Sequence, residues 1–136
     1  MRQMSLWDSP SLDATARVKS AMREALKACP KSREMVTDEM NALAAREGLV
    51  DEGRSPVTLA LLDKWVAAGS PNRVPYHLLV VFCEVTNSLL PIQAMASPLG
   101  CHVITGEDLD LLEWARVQME KRRLQARSKQ IEQKLK

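Results

Sequence analysis

Apolar residues recur along this chain at intervals of three and four, the period of one helix face, and polar punctuation divides them into six segments. In the first, Val18, Met22, Ala25, Leu26 and Cys29 share a face, Ser11 stands where a cap is needed, and Pro30 stops the run, so a helix is predicted over about 12–28. Ser32 opens a second helix to about Glu47, with Val36, Met40, Leu43 and Ala44 inward and Gly48 as its left-handed stop. Ser55-Pro56 pairs a capping side chain with a proline in the first helical position, which predicts a third helix from there to Ala68, burying Val57, Leu62, Trp65 and Val66 and ending at Gly69. After the loop 70–75, Pro75 introduces YHLLVVFCEVT, whose apolar density places it at the centre of the core, and Leu89–Leu99 forms a shorter fifth helix with Pro91 in its first turn. Residues 101–104 are extended or a turn. Thr105, with Asp108 three residues on, resembles a capping box opening one long helix over 107–136. Residues 1–10 carry no periodic pattern and read as a tail.

The expected architecture is therefore all-α: a head of about five helices over residues 11–104 and a C-terminal helix over 105–136. Composition agrees, since 46% of the 136 residues are hydrophobic, enough for a core, and good helix formers dominate. The net charge of +2 conceals a division. Residues 116–136 hold eight Lys and Arg against Glu120 and Glu132, a formal +6, so the remainder carries −4. A basic end on a mildly acidic body suits an anionic partner, and equally a solvated helix surface.

Candidate chemistry narrows the function by subtraction. Cys29, Cys83 and Cys101 are odd in number and lack CxxC spacing, which argues against a disulfide framework. His77 and Cys83 fall on one helix while Cys101 and His102 are adjacent elsewhere, a spacing unsuited to zinc, so no metal and no cofactor is expected. GxSxG, Walker and HExxH motifs are missing, so no enzyme and no small-molecule substrate is indicated. Residues 1–30 lack the apolar run of a signal peptide and no stretch approaches a membrane span; a cytoplasmic location with no membrane contact is expected.

The second and third helices, each capped and joined by a turn, are the ingredients of a helix-turn-helix. The blocks SREMVTDEMNALAAREG, SPVTLALLDKWVA, VPYHLLVVFCEVTNS and LGCHVI stand in an order that resembles the CII-like and Cro/repressor-like regulators of bacteriophages. In those proteins a Ser-Arg-Glu helix precedes one ending in hydrophobic-x-x-Trp, here Leu62, Asp63, Lys64, Trp65; the resemblance covers about residues 15–104. It implies a lambda-repressor-like head, sequence-specific binding of double-stranded operator DNA, and a homo-oligomer, a dimer or higher. On this reading Lys31, Ser32 and Arg33 lie near phosphate, and Arg54, Thr58, Lys64, Asn72 and Arg73 near the groove. The expected reading side of the third helix is Thr58, Leu59, Ala60 and Leu61, where such regulators carry Lys, Ser, Thr or Gln. Leu cannot hydrogen-bond a base edge, so a protein–protein adaptor docking through this helix is the alternative. The C-terminal helix is expected to oligomerise through Leu109, Leu112, Trp114, Val117, Leu124 and Ile131, with its last dozen residues free or on DNA. Val117, Leu124 and Ile131 recur at seven, while Lys121 and Ser128 interrupt the neighbouring position.

Overall fold

The computed structural model describes residues 11–50 and 55–136. They fold as α1 (Thr15–Ala28), α2 (Arg33–Arg46), α3 (Leu59–Val66), α4 (Tyr76–Thr86), α5 (Leu90–Ala96) with a short 3-10 turn after it (Ser97–Leu99), and α6 (Gly106–Leu135). Among the described residues there is no strand, so the protein is all-α with a long C-terminal helix. The chain divides into two units, one up to Val103 and one over Ile104–Lys136.

Local chemistry accounts for most boundaries. The Ser32 hydroxyl accepts from the Met35 amide at 3.2 Å and starts α2. Gly48, at φ 69°, ends it: the Gly48 and Leu49 amides donate back to the Ala45 and Ala44 carbonyls at 3.1 and 2.9 Å, a Schellman closure. Asn87 closes α4 in the same way at φ 53°. At three helix starts the structure departs from expectation. Helix α1 begins at Thr15 rather than 12, because the Asp13 carboxylate accepts from the Thr15 amide at 3.0 Å while the Ser11 hydroxyl is taken by the Asp13 amide. At α6 the Thr105 hydroxyl bonds the Asp108 carboxylate at 3.2 Å instead of a backbone amide, so the capping box does not form.

The third correction is larger. Helix α3 starts at Leu59, not at Ser55-Pro56, and ends at Val66. Thr58 is its cap, accepting from the Leu61 amide at 3.1 Å. Upstream, the Asn41 side chain accepts from the Val57 amide at 2.9 Å and donates to the Val57 carbonyl at 2.8 Å, a two-point clamp that occupies both backbone groups a helix would need. Asn41→Ala would strand both groups in a half-buried setting and is expected to lower stability by about 1–3 kcal/mol. Asn41→Asp, which keeps the acceptor alone, should fall between; a urea midpoint unchanged in Asn41→Ala would show that the clamp contributes nothing.

In the first unit, packing runs round a closed ring: α1 on α3 and α5, α2 on α3 and α4, α4 on α2 and α5. Phe82, Met22, Met40, Leu62, Val36 and Val57 fill its middle and are fully buried. The apolar fourth helix is buried along most of its length, Leu78, Leu79, Val81, Phe82, Cys83 and Val85 all facing in. Burial pushes the Cys83 thiol up to about 11, which keeps it protonated and inert. In the second unit no residue of α6 is buried.

Candidate nucleic-acid interface

Helix α2 packs against α3, and two contacts fix the pair: the Asn41–Val57 clamp and an ion pair between Arg33 and Asp63 at 2.6 Å. Several side chains that the sequence offers to DNA are engaged within the fold. Lys31 donates to Glu39 at 2.6 Å and to the Val85 carbonyl at 3.0 Å, tying the approach to α2 onto the end of α4. The Glu39 hydrogen bond holds the Lys31 ammonium above its ordinary pKa. Ser32 and Thr58 are spent as caps. Arg54 lies outside the described residues.

Lys64, Asn72 and Arg73 do come together, at the end of α3 and in the loop to α4. A residue unassigned from sequence ties the backbones of Lys64 and Asn72 together. Lys19 of α1 is 4% exposed, and its Nζ donates to the carbonyls of Lys64 at 3.1 Å, Trp65 at 2.9 Å and Asn72. Arg23, one turn further on, donates to the Val66 carbonyl. Two α1 cations thus satisfy the carbonyls that the end of α3 leaves free. Burial, and then the charges of Arg23 and Arg73, hold the Lys19 ammonium below its usual pKa. One signal for this was present: Lys19 lies three residues before Met22, on the inner stripe of α1.

The side chains of Lys64 and Arg73 remain exposed. Beside Arg73 is a cavity of about 200 Å³, walled by Val18, Trp65, Leu79 and Met95, with Lys19 and Tyr76 at its margin. Along α3 the exposed residues are Leu59, Ala60, Asp63 and Lys64, so the outward face carries apolar groups and one charge of each sign.

On α6 every Lys and Arg of the basic half is exposed, and Arg123 meets Glu120 at 2.8 Å. Of the residues expected to oligomerise, Trp114, Val117, Leu124 and Ile131 form one line down the helix. Leu112 lies instead with Met119, on another side. Among the described residues no three His, Cys, Asp or Glu side chains come together to hold a metal, and no helix is long and apolar enough to cross a membrane. Comparison with known proteins finds no matching family, no matching curated protein and no matching solved structure.

Proposed function

We propose that this chain is a transcriptional regulator of the phage or prophage kind, a non-enzymatic cytoplasmic protein that binds operator DNA through α2 and α3. The observation that carries this reading is the α2–α3 pair itself. A capped helix is locked by Arg33–Asp63 and Asn41–Val57 to a short second helix whose outer face is free. Such a pair presents one helix rigidly to a groove. The cations already paired with acids of the fold refine the picture. Lys31 and Arg33 hold the fold, Lys64 and Arg73 reach phosphate, and Leu59 and Ala60 offer only apolar contact to thymine methyl groups. Discrimination between sequences is therefore expected to be modest, and affinity mostly electrostatic.

Fluorescence anisotropy with a labelled duplex tests it. Lys64→Ala with Arg73→Ala should weaken binding by roughly tenfold at low salt and flatten the dependence of log K on log salt by about two contacts. Arg33→Ala should chiefly lower the unfolding midpoint. If the double variant binds as tightly as the parent, α3 does not face DNA. The apolar outward face of α3 favours one second reading, an adaptor docking a protein partner there. A parent that binds no duplex at low salt, while Leu59→Asp abolishes a salt-insensitive protein interaction, would establish that reading instead.

A further inference from the structure

Helix α6 runs unbroken for 30 residues, about 45 Å, and none of its residues is buried. Trp114, Val117, Leu124 and Ile131 are each about half exposed or more, at 63, 57, 57 and 47%. With Lys121, Ser128 and Leu135 they occupy alternating steps of three and four, the seam of a two-stranded coiled coil. What can cover that seam is decided by the charges beside it. One residue before Trp114, Lys121, Ser128 and Leu135 stand Glu113, Glu120, Arg127 and Lys134: two acids, then two bases. This series is complementary to itself only when reversed.

We propose that α6 pairs with α6 of a second copy of this chain as an antiparallel coiled coil centred between Arg122 and Arg123. In this register Trp114 packs on the partner's Ile131, Val117 on the partner's Ser128, and Lys121 lays its methylene stem along the partner's Leu124. Beside the seam, Glu113 faces the partner's Lys134 and Glu120 faces the partner's Arg127. Symmetry repeats both, which makes four attractive pairs. Glu120 exchanges its present contact with Arg123 for the partner's Arg127. Arg122, Arg123 and Lys129 fall outside the seam and stay in water.

The alternatives are excluded by the same residues. A parallel pair in register would set Lys121 against the partner's Lys121 and Ser128 against the partner's Ser128, and would align the two basic halves. Sliding the antiparallel pair by one heptad in one direction opposes Glu120 to the partner's Glu120 and strands Leu135. Sliding it in the other opposes Arg127 to the partner's Arg127 and strands Trp114. Only the central register uses the apolar positions and pairs every charge in the series Glu113, Glu120, Arg127 and Lys134. Flanking pairs of this kind select orientation and register more than they add affinity.

The proposal is independent of DNA and is tested without it, on the full chain, by sedimentation equilibrium. The parent should dimerise. Glu113→Lys with Glu120→Lys makes the flank wholly basic, and Arg127→Glu with Lys134→Glu makes it wholly acidic. Each double variant should raise the dimer Kd by about tenfold or more, through lost pairs and new repulsion. An equimolar mixture of the two should restore a dimer, now a heterodimer, and one chain carrying all four changes should again dimerise with itself. Circular dichroism of each variant separates loss of pairing from loss of fold, and the four-change chain keeps the test decisive if one double variant misfolds. A parent monomeric at every soluble concentration overturns the proposal, as does a mixture that stays monomeric. A dimer indifferent to Glu113→Lys with Glu120→Lys does so too, since those residues face only Gln118 and Gln125 in a parallel pair.

Discussion

Trp65→Ala is expected to lower the free energy of unfolding by about 3–5 kcal/mol, the usual range for truncating a buried aromatic. Trp65 is 3% exposed, and the helix it belongs to has only eight residues. So short a helix is unstable alone and holds its shape through the face it buries. Here that face is Leu62, Trp65 and Val66, of which Trp65 is by far the largest. Its removal opens a void continuous with the cavity beside Arg73 and loosens α3 from α1 and α2 together. Against a total stability of about 5–15 kcal/mol for a domain, such a loss leaves the first unit marginal. Urea unfolding followed by far-ultraviolet circular dichroism measures it. A loss below about 1 kcal/mol would mean that α3 is held mainly by its clamps to α2 rather than by the indole.

The fold was legible wherever its cause is local. Ser32, Gly48 and Pro75 mark their boundaries because each acts on backbone within a turn of itself, and the stripe Val36, Met40, Ala44 declares its inner face by period alone. Errors arose where a distant residue intervenes. Ser55-Pro56 is a good helix start by itself, but Asn41, sixteen positions away, claims the backbone of Val57 and passes the start to Thr58. The same cause acts at the candidate site. A basic residue before a capped helix suits phosphate, yet Lys31 and Arg33 have Glu39 and Asp63 as partners, and those pairings exist only once α2 lies against its neighbours. The start of helix α6 is legible to within a residue, 107 against Gly106, because the pattern that declares it is its own. The line of Trp114, Val117, Leu124 and Ile131 is likewise visible in the sequence, and the 100° step between successive residues turns Leu112 away from it, to the side of Met119.

Lys19→Met is expected to destabilise by about 2–4 kcal/mol, although it exchanges a charge for an apolar side chain of similar length at a buried position. Hydrophobicity alone would predict a gain. The geometry predicts a loss, because the Lys19 ammonium has three hydrogens and three carbonyls to receive them, at Lys64, Trp65 and Asn72. Methionine fills the space and leaves those carbonyls without donors; the Trp65 contact is buried, where water cannot substitute. Arg23→Met is the control. Its guanidinium serves one carbonyl, that of Val66, from a half-buried position that water can reach, so its loss should be about 1 kcal/mol or less. Alkaline pH adds a second reading of the same site. The folded pKa of Lys19 lies below its ordinary 10.5, so the unfolded chain takes up this proton more readily than the folded one. The contribution of the group to stability therefore rises as pH climbs through the depressed value toward 10.5. Cys83, raised from 9.0 to about 11, acts in the opposite direction over the same range, since its folded state resists losing the thiol proton. Comparing the parent with Lys19→Met at each pH cancels Cys83. The gap between the two proteins should then widen as pH rises toward 10.5, and a gap that narrows would show that Lys19 holds its proton more tightly in the folded chain than in the unfolded one.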